Sequence, residues 1–110
     1  MEREREREKG KGITAKGIPR SLRPAFQEYD LEKLDLERDA FTIIERTLAY
    51  GDREELRWLF ARYGQERIIE WIRQAGWWLL PRRRFVFWTT FFGIRNYRRN
   101  PWGKKGIWPY

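Results

Sequence analysis

The chain has 110 residues, 24 Lys and Arg against 16 Asp and Glu, a formal net charge of +8, and neither Cys nor His. A chain of this length holds one small domain; the missing residue types remove disulfides, thiolate chemistry and the commonest soft-metal ligands, so any metal site would be built from carboxylates alone. The single Ser, Ser21, has no His to activate it, which leaves no nucleophilic triad, and no apolar run approaches the roughly 18 residues of a membrane span.

Residues 1–23 alternate Glu and Arg and are then interrupted by Gly10, Gly12, Gly17 and Pro19. No apolar period emerges, so a disordered charged leader is expected over 1–25, with weak helicity as the alternative. An arm for nucleic acid is the functional alternative, but the acids cancel much of the basic charge. With no apolar segment behind it, the leader is not read as a secretory signal, and the expected location is the cytoplasm.

A helical domain is expected over 26–94. Asp30 and Asp35 are available as caps, and Leu36, Ala40, Phe41, Ile43, Ile44, Thr47 and Leu48 recur at spacings of three and four. This spacing predicts a first helix with one apolar stripe, closed by Gly51 as a left-handed stop. Asp52 with Glu55 three residues on is an Asp variant of the capping box and opens a second helix. Leu56, Leu59, Phe60 and Tyr63 form its inner face, and Gly64 ends it. A third helix is predicted from about Gln65 to Ala75, with Ile68, Ile69 and Ile72 inward and Gly76 closing it. Glycine punctuation between short helices implies close packing.

The run from Phe85 to Phe92 is aromatic and β-branched, a composition that favours a strand. Such a strand would have nothing to pair with, and Pro81 and Gly93 bracket the run as a first-turn Pro and a terminal Gly bracket a helix. A helix is therefore expected, with a strand as the alternative. Residues 95–110 carry further Asn, Gly and Pro breaks and are expected to form an irregular basic aromatic tail. The fold class is thus all-α, a bundle of three to four short helices between leader and tail.

Charge is divided unevenly along this organisation. Every acidic residue lies at or before Glu70, while residues 71–110 hold nine of the Lys and Arg and most of the aromatic side chains. Arg82, Arg83, Arg84, Arg95, Arg98, Arg99, Lys104 and Lys105 interleave with Trp88, Tyr97, Trp102, Trp108 and Tyr110. Cations pair with phosphates or carboxylates, and indole and phenol faces stack on unpaired bases, each worth about 1–3 kcal/mol. Trp77, Trp88, Phe91 and Phe92 are equally suited to completing a thin core. The candidate binding residues are therefore Arg82, Arg83, Arg84, Arg95, Tyr97, Arg98, Arg99, Trp102, Lys104, Lys105 and Trp108. Three Arg at the start of a helix oppose its dipole by about a few tenths of a kcal/mol each.

Other arrangements fit less well. The unit around Gly64 has the outline of a helix-turn-helix, but Glu66 and Glu70 would face phosphates. The carboxylates of the body fall at helix starts or beside bases, as caps and surface pairs, and form no recognisable acid–base dyad. No long amphipathic helix supports a membrane-surface role.

The blocks Leu34–Asp39, Ile43–Arg46, Gly51-Asp52, Arg57–Leu59, Tyr63-Gly64, Pro81-Arg82 and Phe87-Trp88 resemble a family of small bacterial proteins. These are often encoded beside nucleotidyltransferase-type abortive-infection toxins and are regarded as their antitoxins. The likeness spans about Phe26 to Ile94 and departs from the pattern at Leu80, where a Ser before the Pro is expected. It implies a non-enzymatic helical protein without cofactor that binds a toxin, with the RNA such toxins modify or its own promoter as a further expected partner. The resulting expectation is an antitoxin-like protein that masks an acidic partner. The alternative is a sequence-tolerant RNA or single-stranded DNA binder using the Trp/Arg-rich region. A third reading is a subunit whose aromatic patch near Phe85 to Phe92 is covered by a partner chain.

Overall fold

A computed structural model describes residues 12–99. The fold is all-α, with no strand among the described residues. The chain divides into two units, Met1–Arg57 and Trp58–Tyr110. The division falls inside the second helix and not at either expected boundary, 25/26 or 94/95.

In the first unit, order begins well before residue 26. Thr14 and Ile18 close a turn in which the Thr14 N–H donates to the Ile18 carbonyl at 2.8 Å and the Ile18 N–H to Thr14 Oγ1 at 3.0 Å. A 3₁₀ segment, Arg20–Phe26, follows. Ile18, Leu22 and Phe26 are fully buried, each worth about 1.5–3 kcal/mol of apolar burial. The expected disordered leader over 1–25 is corrected for residues 12–25. Three apolar residues at a spacing of four are enough to anchor a segment whose composition reads as low-complexity.

A second 3₁₀ turn, Leu31–Lys33, is capped by Asp30, whose Oδ1 accepts from the Glu32 N–H at 3.1 Å. The first α-helix, α1, is Ala40–Tyr50 and starts four residues later than the apolar stripe predicts. Asp35 is the reason: its Oδ1 accepts from the N–H groups of Glu37 at 2.9 Å and Arg38 at 2.8 Å, which holds residues 36–39 as a turn. Ala40, Ile43, Ile44, Thr47 and Leu48 are buried as expected. α1 lies against the Arg20–Phe26 segment, to which it is tied by Arg46 Nη1 donating to the Ala25 carbonyl at 2.9 Å.

Gly51 is not a left-handed stop. Its φ and ψ are −70° and 150°, an extended conformation, and a Cβ there would stand 2.6 Å from the Thr47 carbonyl oxygen. Glycine is needed for close approach and not for handedness. The predicted capping box is present: the Glu55 N–H donates to Asp52 Oδ1 at 2.8 Å and the Asp52 N–H to Glu55 Oε1 at 2.9 Å. It opens α2, Arg53–Tyr63.

The second unit contains the end of α2, with Leu59 and Tyr63 buried, and Gly64 at φ +89° as the turn. α3 begins as Gln65–Trp71, widens into a π-helical turn at Ile72–Gly76 and ends with Trp77–Leu79. It therefore passes through Gly76, which has helical φ and ψ of −61° and −35°. The helix stops because Leu80 precedes Pro81 and is pushed to an extended ψ of 146°. Ile68, Trp71, Ile72 and Ala75 form its buried face, while Ile69 is half-buried. The run that composition left between strand and helix is α4, Arg82–Phe92.

Candidate binding site on the C-terminal helix

Pro81 fixes the start of α4, and Arg82, Arg83 and Arg84 occupy its first turn with no acidic residue and no side-chain cap. Phe85 and Trp88 turn inward and are 4% and 3% exposed. Trp88 packs edge-on to Phe60 at 5.6 Å between centroids, and Phe92 packs on the same ring at 5.8 Å. Of the four aromatics suited to completing the core, Trp88 is buried, Phe92 is half-buried, and Trp77 and Phe91 are exposed. The other side of α4 is left outside. Val86, Phe87 and Phe91 are 47%, 52% and 64% exposed, and the rings of Phe87 and Phe91 lie stacked with centroids 5.8 Å apart and planes 13° apart.

Gly93 ends α4 at φ +67°. The Ile94 N–H donates to the Thr89 carbonyl at 2.8 Å and the Gly93 N–H to the Thr90 carbonyl at 3.2 Å, the paired bonds of a Schellman motif. This reversal sends residues 94–99 back across α3. The Arg98 N–H donates to the Arg73 carbonyl within the π turn at 2.7 Å, and Arg73 Nε donates to the Asn96 carbonyl at 3.1 Å. Between these bonds the Tyr97 ring sits 4.8 Å from Phe85 and stacks on Trp77 at 5.9 Å with 25° between planes. The Arg99 guanidinium lies over Tyr97 at 5.0 Å and over Trp77 at 5.9 Å.

The tail expected from residue 95 is irregular through residue 99, but it is not loose there. Its backbone bonds to Arg73 and the placement of Tyr97 between Phe85 and Trp77 make it part of the second unit. Of the candidate residues, Arg82, Arg83 and Arg84 share one helical turn. Tyr97 and Arg99 adjoin it through Phe85, the residue after Arg84. Arg95 lies instead at the other end of α4, beside an open cavity of about 340 Å³ lined also by Ile69, Arg73, Phe92 and Asn96. Trp102, Lys104, Lys105 and Trp108 lie outside the described residues.

Sequence reasoning missed one member of this site, Arg73, and left open which aromatic residues near Phe85 to Phe92 form the outer patch. Arg73 falls on an ordinary helical stretch, and nothing local marks it as the anchor of a segment 23 residues later. The exposed pair Phe87 and Phe91 was legible as an i, i+4 pair, but which side of an all-aromatic helix faces outward is decided by packing.

The first unit carries a separate cavity of about 590 Å³, lined among others by Ser21, Glu28, Arg46, Tyr50, Asp52 and Glu55. Arg46 Nη1 donates to Glu28 Oε1 at 3.1 Å. That hydrogen bond holds the Glu28 carboxyl well below the usual carboxylate range, at about 2. Burial pushes the neighbouring Glu45 carboxyl up. No group of three or more acidic residues among the described residues is placed to hold a metal ion, and no described helix is long and apolar enough to cross a membrane.

Residues 21–72 match the model of a family of unknown function, DUF6922. The matched span begins one residue into the Arg20–Phe26 segment, ends at Ile72, the first residue of the π turn, and does not include α4. No curated protein and no solved structure matches the chain.

Proposed function

We propose that the chain is a non-enzymatic binding protein that masks an acidic surface of a protein partner, in the manner of an antitoxin on a nucleotidyltransferase-type toxin. The observation that carries this reading is the exposed positive charge of Arg82 and Arg83 at the start of α4, in a first turn with no acidic residue. Arg82 and Arg83 are exposed, Arg99 is held on the adjoining ring stack, and no Asp or Glu occurs in the chain after Glu70. Cations on a helix N-terminus work against the helix itself. The placement of Arg82 and Arg83 there is explained by an acidic partner, which gains complementarity and association rate from them.

Co-expression with the product of the adjoining gene tests the reading. The two proteins should co-elute at about 50 mM salt and separate progressively towards 0.5 M, as screening predicts for exposed charge pairs. Failure to associate at low salt would overturn it.

A second reading, sequence-tolerant binding of RNA or single-stranded DNA, is favoured by one observation: Trp77, Tyr97 and Arg99 form a ready-made stack of the kind on which bases pile. If about six cations touch phosphates, affinity for a 20-nucleotide strand should fall roughly a thousandfold between 50 and 200 mM salt. A flat salt response with unquenched Trp fluorescence excludes it.

A further inference from the structure

The reading above leaves open how a partner is recognised beyond its charge. Deepening that reading and resting on it, we infer that α4 is a helix that docks into an apolar groove on an acidic protein. Val86, Phe87 and Phe91 are the anchors, and Arg82 and Arg83 pair with carboxylates at the groove's rim.

Residues 83, 86, 87, 90 and 91 fall at i, i+3, i+4, i+7 and i+8, one face of a helix. The face opposite is spent on the core through Phe85 and Trp88. Single exposed apolar residues are ordinary on any protein surface. Three large ones on one face of an 11-residue helix, each about half exposed or more, make a continuous patch that water covers at a cost. The parallel stacking of Phe87 on Phe91 holds both rings in place, so little side-chain freedom remains to be lost on binding.

The chemistry of the occupant follows from what flanks the patch. The first turn carries Arg82, Arg83 and Arg84 and no acidic residue, and residues 71–110 contain no Asp or Glu, so the complementary partner surface is acidic. A second copy of the chain would set the same cations against one another on this face. A nucleic acid strand would meet a face with Val86 at its centre, which offers no ring to stack, and with Thr90 as its only neutral hydrogen-bonding side chain. Burying Val86, Phe87 and Phe91 together requires a concave apolar wall, as in helix-in-groove docking; the anchors are the i, i+4 pair Phe87 and Phe91 with Val86 beside them.

Calmodulin is a suitable probe, because calcium opens an apolar, Met-rich groove on an already acidic protein, and the calcium-free form presents acid with the groove closed. Binding of the full chain to labelled calmodulin would be followed by anisotropy at 150 mM salt, with and without calcium. The expected result is a preference of tenfold or more for the calcium-loaded form, abolished in Phe87→Ala/Phe91→Ala and kept within about threefold in Phe87→Met/Phe91→Met. Circular dichroism should show unchanged helicity in both variants, since Ala and Met are good helix formers.

Equal binding to both forms, unaffected by the Phe pair, would overturn the groove inference and leave the charge-masking reading standing. Binding of a 20-nucleotide oligo-dT that depends on Phe87 and Phe91, without a calcium-dependent preference for calmodulin, would assign the face to nucleic acid and overturn it as well. No binding to either form of calmodulin would also overturn the groove inference, whereas the masking reading falls only if co-elution with the adjoining gene product fails.

Discussion

Phe85 rests on Gly76: a Cβ added to Gly76 would stand 3.0 Å from Phe85 Cδ1 and 3.2 Å from Ile72 Cγ2. Phe85 has no room to give, because Trp77 and Tyr97 enclose its ring at 5.8 Å and 4.8 Å. Gly76 has helical φ and ψ, so propensity alone would make Gly76→Ala stabilising by up to about 1 kcal/mol. We expect the opposite sign, a net loss of about 1 kcal/mol, and about 2–3 kcal/mol for Gly76→Val, as overpacking reaches the ring. Urea unfolding of the three proteins measures both. A stabilised Gly76→Ala would show that Phe85 can shift.

Gly93 sets the contrasting case. Nothing lies within 4 Å of a Cβ built there, but φ is +67°, so the cost of Gly93→Ala is backbone strain alone, about 1 kcal/mol. Gly93→Asn should cost less, since Asn tolerates this region. Thermal melts of the pair, read against wild type, check the order.

The reciprocal bonds of Asp52 and Glu55 predict a loss of about 1 kcal/mol for Asp52→Ala, because the Glu55 N–H at the start of α2 loses its acceptor. Glu55→Gln should be close to neutral, because an amide oxygen still accepts from the Asp52 N–H. Equilibrium denaturation of both variants would separate the capping role from a purely electrostatic one.

Glu28 gives the pH dependence a defined sign. Its carboxyl, hydrogen-bonded to Arg46, titrates at about 2 instead of 4.5. A depressed folded-state value contributes stability that is complete above the unfolded value and is lost as pH falls through the folded one. The difference in Tm between wild type and Glu28→Gln should therefore be constant above about pH 5.5 and shrink between about 4.5 and 2. It will be small, since the Glu28 side chain is 57% exposed and solvent screens the pair. Half-buried Glu45, whose carboxyl is pushed up chiefly by burial and in part by Glu28, works in the opposite direction.

Arg82 and Arg83 are expected to trade stability for binding. Arg82→Glu/Arg83→Glu places acid where the helix dipole favours it and should raise stability by about a few tenths of a kcal/mol per residue. The same change should abolish co-elution with the acidic partner at low salt. A variant that is both more stable and inactive would distinguish a binding role for these cations from a structural one.

The all-α class, the Asp52/Glu55 box and the terminal Gly93 were legible in the sequence because each depends on residues within four positions of one another. The inner faces of the first two helices were legible for the same reason, through the recurrence of Ile43, Ile44, Thr47 and Leu48, then Leu59 and Tyr63. Two glycines misled. Gly51 and Gly76 both look like helix stops, yet the first is extended and the second is inside a helix. What each accommodates is a neighbour, the Thr47 carbonyl oxygen one turn back and a ring nine residues on.

That the elements are helices, and that no acidic residue follows Glu70, can be read from the residues alone, since propensity, capping and charge are local or additive properties. Tertiary structure alone decided which of the aromatic residues are core and which are surface. In a helix with Phe, Val or Trp at nearly every position from 85 to 92, the pattern has no polar side to identify the outer face. Phe60, Trp77 and Tyr97 choose it by claiming Phe85, Trp88 and Phe92, and Phe87 and Phe91 are what remains outside. Packing likewise ordered residues 12–26 and drew 94–99 back onto Arg73, because burial of Ile18, Leu22, Phe26 and Tyr97 outweighs a local composition that favours disorder.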